Sequence, residues 1–126
     1  MITGVTKMTQ AEFSMAEYLA ANGQNVEKLA VSTVQGVRSA DFLVNGVKCE
    51  LKTLGAQAGT NTLKNDIASA VGQGAGNVLI DARDAARISA AEAQRAAARV
   101  FGADPRLQVV RVVGKDFDVT IARQAH

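Results

Sequence analysis

Cysteine and aromatic residues are scarce in this chain of 126 residues. The single cysteine, Cys49, excludes an internal disulfide framework, and we interpret it as a buried core residue. Aromatic residues make up only 4% and there is no tryptophan, so we expect a core of valine, leucine, isoleucine and alanine. The same scarcity argues against aromatic platforms that stack single-stranded bases.

Long apolar runs are also missing. No run approaches the roughly 18 residues of a membrane span, and the N-terminus has no secretory hydrophobic region. The formal net charge of +2 permits a polyanionic partner without requiring one. Because 48% of the residues are hydrophobic, residues 1–126 are expected to form a single domain around one core.

The best defined local feature is a predicted β-hairpin around Asn45-Gly46. Apolar-rich runs flank this pair, which is typical of a type I′ turn in which both central residues take positive φ. The implied register pairs Phe42 with Cys49 and places Asp41 opposite Glu50. One face is expected to carry the core residues Phe42, Val44, Val47, Cys49 and Leu51, and the other Asp41, Leu43, Lys48, Glu50 and Lys52.

The predicted pairing of Asp41 with Glu50 is unfavourable, because like charges directly opposite each other destabilise a sheet. Sequences keep such conflicts mainly at functional sites. A divalent cation between the two carboxylates would remove the repulsion, and Lys52 would then lie beside whatever the metal binds. Carboxylate oxygens favour Mg²⁺ or Mn²⁺, whereas neither Cys49 nor His126 is placed to build a zinc site.

The rest of the chain alternates between helical and strand patterns. Helical spacing predicts helices over residues 9–22, 25–30, 62–72 and 89–101. Strands are predicted over residues 31–38 and 77–82, and a terminal hairpin over residues 107–113 and 116–122. Its two-residue loop, Gly114-Lys115, places Arg111 opposite Asp118. This order favours an α/β sandwich, with a mixed central sheet and helices on its faces.

The residues Asp41 and Glu50-Leu51-Lys52, spaced D-x8-E-x-K, resemble the PD-(D/E)xK nuclease superfamily. The resemblance covers roughly residues 26–82 and implies an αβββαβ core, here followed by the C-terminal hairpin. It also implies that the aspartate and the glutamate bind a divalent metal while the lysine assists phosphodiester cleavage. Ala40 stands in place of the motif's proline, a residue that binds no metal.

These expectations define a candidate catalytic site. Asp41 and Glu50 are the predicted metal ligands, and Lys52 is expected to contact the phosphate or orient the nucleophile. Glu27 is a candidate further ligand through water. Basic residues that could follow a nucleic-acid backbone are Lys64, Arg38, Lys48, Arg83 and Arg87. The alternative for each of these residues is a solvated sheet or helix charge.

A narrower resemblance rests on the run VEKL followed by ADFLVNG, ELKT, a helix and NVLIDAR. This order is similar to the C-terminal toxin domains of bacterial contact-dependent growth inhibition proteins, particularly those that cleave transfer RNA. The resemblance implies a fragment of a secreted or cell-surface effector that acts in a neighbouring cell's cytoplasm, and a cognate immunity protein. A DNA endonuclease and a non-catalytic module that binds nucleic acid or protein are the alternatives.

Overall fold

The computed structural model describes residues 2–3, 8–28 and 42–123. The elements in chain order are β1 (Ile2–Thr3), α1 (Gln10–Ala21), β2 (Val26–Lys28), β3 (Phe42–Val44), β4 (Val47–Thr53), α2 (Thr60–Gly72), β5 (Asn77–Ala82), α3 (Ala90–Ala103), β6 (Val109–Gly114) and β7 (Asp118–Ala122). Parallel and antiparallel strand pairs both occur, which confirms the predicted mixed α/β class. No helix of the described residues is long and apolar enough to cross a membrane.

The chain divides into two compact units, Met1–Leu51 and Lys52–His126. Each unit has strands and at least one helix within its described residues. The expectation of a single domain over residues 1–126 stays a prediction. The predicted strand over residues 31–38 lies outside the described residues.

In the first unit, α1 begins at a capping box formed by Thr9 and Glu12. The Thr9 backbone N–H donates to Glu12 Oε1 at 2.8 Å, and the Glu12 N–H donates to Thr9 Oγ1 at 3.2 Å. Strand β2 pairs in parallel with β1 and antiparallel with β3. Among the described residues of this unit, the buried apolar ones are Met15, Ala16, Leu19, Val26, Phe42, Val44 and Leu51.

The predicted helix over residues 25–30 is wrong, because Val26–Lys28 is strand β2. Val26 and Lys28 are buried while Glu27 between them is exposed, which is the two-residue period of a strand. Burial of Lys28 depends on an ion pair between its Nζ and Glu12 Oε2, 2.6 Å apart. This contact with a residue in α1 overrides the weak helical pattern of the segment.

The hairpin of β3 and β4 has the predicted register, in which Phe42 pairs with Cys49 and Val44 with Val47. Asn45 has a φ of 50° and Gly46 a φ of 83°, so both turn residues take the positive values that a type I′ turn requires. Two hydrogen bonds also join the turn to Asn25, the residue before β2. The Asn25 N–H donates to Asn45 Oδ1, and the Asn45 N–H donates to the Asn25 carbonyl oxygen, both at 2.8 Å.

The predicted core face of this hairpin is confirmed in part. Phe42, Val44 and Leu51 are buried. Val47 is 48% exposed, because it directly follows the turn at the outer end of the hairpin. Cys49 is only half-buried, and its thiol donates to the Val47 carbonyl oxygen at 3.5 Å, so its interpretation as a buried core residue is corrected.

In the second unit, β5 pairs in parallel with β6, and β6 pairs antiparallel with β7. The predicted bounds of β5 are confirmed, and every residue of this strand after Asn77 is buried. One face of β5 and β6 joins α2 and α3 in a single apolar cluster. Its members include Leu63, Ile67, Val71, Val78, Ile80, Ala93, Ala97, Val100, Val110 and Val112. This cluster has no aromatic residue among its buried members, as the composition predicted.

The predicted register of the terminal hairpin is wrong by two residues. Arg111 pairs with Thr120, and Val113 pairs with Asp118. The Gly114 N–H donates to the Phe117 carbonyl oxygen at 2.8 Å, and this bond encloses Lys115 and Asp116, so the loop lies one residue later than the predicted Gly114-Lys115. The Phe117 ring occupies the place where a Cβ at residue 114 would stand and packs against the core, which accounts for the shifted loop.

Candidate functional site

The E-x-K sequence of the candidate site lies within β4. Glu50 and Lys52 are separated by one residue, so their side chains leave the strand on the same side. Glu50 is only 7% exposed, whereas Lys52 is half-buried. Glutamate is seldom buried to this degree, and the burial is inconsistent with a solvated sheet charge at residue 50.

Two residues of the predicted site, Asp41 and Arg38, lie outside the described residues. The described register of the hairpin ends at the pair of Phe42 with Cys49. The opposition of Asp41 to Glu50, and with it the proposed pair of metal ligands, therefore stays a prediction.

Glu27 is exposed in β2 rather than helical. It pairs with Leu43, and Leu43 pairs with Lys48, so the three side chains share one side of the sheet with Glu50. Two strand spacings of about 4.8 Å and two residues of about 3.4 Å separate the Cα atoms of Glu27 and Glu50, which gives about 12 Å. The register thus brings Glu27 nearer to Lys48 than to Glu50, and its role as a water-mediated ligand stays a prediction.

The predicted basic residues differ in their surroundings. Lys48 and Arg87 are exposed, and Lys64 is half-buried in α2. Arg83 instead binds Asp81, since its Nε and Nη2 donate to the two carboxylate oxygens at 2.9 Å each. Of these residues, the structure gives Arg83 a clear structural partner, while a role for any of them in binding nucleic acid stays a prediction.

Sequence reasoning missed two buried charges outside the E-x-K sequence. Asp81 is 6% exposed and Lys28 is 7% exposed. An arginine two residues after Asp81 could have revealed the first pair. The second could not be foreseen, because Glu12 lies 16 residues before Lys28.

The Lys28 ion pair lies against a core residue of the first unit. Its Nζ also lies 5.2 Å from the centre of the Phe42 ring. Burial raises the pKa of Glu12, but hydrogen bonds from Lys28 and Thr9 outweigh this effect, so the pKa lies below its usual value. The pair therefore favours the ionised carboxylate and has a structural role.

Residues 2–3, 8–28 and 42–123 contain no group of three or more histidine, cysteine, aspartate or glutamate side chains that could hold a metal ion. Glu50 supplies one buried carboxylate, the type of oxygen donor that Mg²⁺ and Mn²⁺ prefer. Its chemistry therefore suits one ligand of the predicted site, and the role of Asp41 as the other ligand stays a prediction.

Comparison with known proteins adds the family and the fold. The model of a family described as the contact-dependent growth inhibition CdiA C-terminal domain matches residues 38–119. Among solved structures, the chain is similar to the CdiA-CT/CdiI toxin and immunity complex from Burkholderia pseudomallei, with 20% sequence identity and a TM-score of 0.64. The likeness covers 87% of this chain and 80% of that chain, and at this identity it supports the fold alone. No curated protein sequence matches the chain.

Proposed function

The chain belongs to the contact-dependent growth inhibition CdiA C-terminal domain family, and on this premise we propose that it is a growth-inhibiting toxin that cleaves RNA. Transfer RNA is the favoured substrate. The observation that carries the proposal is the burial of Glu50 at 7% exposure, one residue before Leu51 and two before Lys52. A buried carboxylate followed at this spacing by a lysine on the same side of a strand suits metal-assisted phosphodiester cleavage.

In the proposed site, Asp41 and Glu50 hold a divalent ion, Mg²⁺ or Mn²⁺. When bound, such an ion supplies polarisation of the phosphate and a lowered pKa of a water molecule. Lys52 places a fixed positive charge beside the phosphate and stabilises the negative charge that develops there during cleavage. The burial of Glu50 strengthens these interactions, because charges attract more strongly where water is excluded.

We also propose a cognate immunity protein that binds and blocks this toxin. Support comes from the family match and from the similar Burkholderia pseudomallei structure, which is a toxin and immunity complex. Under this proposal the chain is delivered as part of a secreted or cell-surface effector and acts in the cytoplasm of the target cell.

A cleavage assay on two substrates tests the proposed activity. Purified protein is incubated with total RNA and with plasmid DNA, in Mg²⁺, in Mn²⁺ and in EDTA. We expect loss of the transfer RNA band in either metal and no loss in EDTA. Plasmid cleavage without RNA cleavage would support the DNA endonuclease instead, and intact substrates under all conditions would support a non-catalytic module.

A further inference from the structure

Two arginines of α3, Arg95 and Arg99, lie on its exposed side. They are four residues apart, which places their Cβ atoms about 5 to 6 Å from each other along one helix face. The opposite side of the helix is buried through Ala93, Ala96, Ala97 and Val100. The core thus fixes which side of α3 presents the two guanidinium groups to solvent.

Neither arginine has an ion pair or hydrogen bond within the described part of the chain. Four other arginines of the second unit have ion-pair or hydrogen-bond partners within the protein. Arg83, Arg106 and Arg111 each bind an aspartate, and Arg123 donates to the carbonyl oxygens of Phe101, Asp104 and Leu107. Arg95 and Arg99 therefore differ from these four in that no carboxylate or carbonyl oxygen of the described residues binds their guanidinium groups directly.

The carboxylate nearest to Arg95 along α3 already has donors of its own. Glu92 Oε2 accepts from Thr60 Oγ1 at 2.7 Å, and Glu92 Oε1 accepts from Ser89 Oγ at 3.2 Å. The hydrogen bond from Thr60 lowers the pKa of Glu92 most, followed by that from Ser89, and the charge of Arg95 adds a smaller lowering. Glu92 is thus fixed at the start of the helix by Thr60 and Ser89, and Arg95 acts on it only through its charge.

Apart from Glu92, the residues one turn away from the two arginines along α3 are small. Ala91, Ala98 and Gly102 are exposed and share the same stripe of the helix, since they follow the spacing i, i+7 and i+11. A rigid polyanion can therefore approach both guanidinium groups closely, with no bulky or acidic side chain of the stripe in its way. We name Ala91, Arg95, Ala98, Arg99 and Gly102 the α3 stripe.

We propose that the α3 stripe binds the phosphate backbone of the RNA substrate, an inference that rests on the proposed function. Charge complementarity favours this occupant, because arginine and lysine side chains neutralise backbone phosphates and supply many of the hydrogen bonds to them. The core of a protein–protein interface is enriched in aromatic residues and methionine as well as arginine. The α3 stripe has arginine but no aromatic residue or methionine, since its apolar members are alanine and glycine.

The experiment measures RNA binding without cleavage. In a Lys52→Ala background, binding of purified transfer RNA is measured from 50 to 200 mM salt for the parent and for Arg95→Gln/Arg99→Gln. A matched control, Arg106→Gln/Lys115→Gln, removes the same charge from two exposed residues of the same unit. Thermal melting checks that all three proteins are folded.

Loss of two phosphate contacts should make the slope of log K against log salt shallower by about 1.4 on single strands and about 1.8 on duplex. Between 200 and 50 mM salt, the binding constant of the parent should therefore rise by a factor that is about 7 to 12 times larger than the factor for the Arg95/Arg99 variant. The control should keep the parent slope. Arg95→Lys/Arg99→Lys should keep it as well, because the charge is retained.

Equal slopes for the parent and the Arg95/Arg99 variant would overturn the inference. So would equal losses in the variant and the control, because net charge alone would then explain them. The Arg95/Arg99 variant could instead keep the parent's salt dependence of RNA binding and lose affinity for the immunity protein. That result would assign the α3 stripe to the immunity protein. Because binding is measured apart from cleavage, an inactive wild type with the expected slopes would reject the proposed activity and retain the RNA-binding stripe.

Discussion

The hairpin of β3 and β4 and the hairpin of β6 and β7 use their charged residues in different ways. Across β6 and β7, Arg111 Nε and Nη2 donate to the two carboxylate oxygens of Asp118 at 2.9 and 2.6 Å. In β4, Lys48 and Lys52 have no ion pair within the described residues. Charges that pair inside a hairpin stabilise that hairpin, whereas the lysines of β4 remain available to an external anion.

The turns of the two hairpins also differ in what stabilises them. The Asn45-Gly46 turn is specified by its own residues and by the two hydrogen bonds to Asn25. The loop after Gly114 is specified by Phe117, whose ring lies over the glycine. The first hairpin therefore depends on local turn chemistry, and the second depends on packing against the core of its unit.

The largest effect is expected from the aromatic residue of each hairpin. Phe42→Ala should cost about 3 to 5 kcal/mol, because Phe42 is 1% exposed and truncation leaves a cavity. Phe117→Ala should cost less, since Phe117 is only half-buried. Denaturant midpoints measure both costs, and an equal or greater loss at Phe117 would contradict the burial difference between the hairpins.

The next largest effect is expected on RNA cleavage, from removal of the Lys52 side chain. Lys52→Ala should reduce RNA cleavage about 100- to 1,000-fold, because removal of a group that stabilises developing charge costs this much. Its melting temperature should change little, since the side chain is half-buried and has no ion pair in the described part of the chain. Lys115→Ala, an exposed loop variant, is the matched control. Cleavage rates near wild type in folded Lys52→Ala would remove this residue from the site.

A smaller effect separates the two turns. Gly46→Ala should destabilise the protein by about 1 to 2 kcal/mol, because the φ of 83° is strained for a residue with a Cβ. Lys115→Ala should shift stability by no more than about 0.5 kcal/mol, as an exposed loop substitution. Chemical denaturation of the two variants measures the difference, and equal stabilities would show that local turn chemistry does not fix the first hairpin.

The smallest effect is pH-dependent and concerns β2, the strand that pairs with β3. The folded pKa of Glu12 lies below its usual 4.5, so its ion pair with Lys28 stabilises the fold above that pH. This contribution is lost as the pH falls through the lowered folded pKa. In Lys28→Met, the loss of stability between pH 5 and 3 should be smaller than in wild type. Parallel pH profiles for the two proteins would show that the ion pair does not supply this stability.

Much of the fold follows from short-range patterns in the sequence. Asn45-Gly46 sets the register of its hairpin because both residues favour positive φ. The strand at residues 77–82 was predicted with its bounds, because a short apolar run between turn residues suits a buried strand. Thr9 with Glu12, and Ser89 ahead of α3, mark helix starts for the same local reason.

The rest depends on contacts between distant residues. Lys28 takes a strand conformation beside Glu12, which lies 16 residues away. Phe117 packs against the core and thereby shifts its loop to Lys115-Asp116, and no turn rule contains that information. Sequence reasoning named Glu50 but could not give its burial. It also did not single out Arg95 and Arg99, because periodicity does not reveal which charges lack partners.

The proposed binding of a divalent metal by Glu50 of β4 is tested by metal-linked melting. The melting temperatures of wild type, Glu50→Gln and Asp41→Asn are measured against Mg²⁺ and Mn²⁺ concentration, with EDTA as the reference. Wild type should gain about 2.7 kcal/mol when the metal reaches about 100 times its Kd, and both variants should gain less. Identical metal responses in all three proteins would rule out metal binding by Glu50.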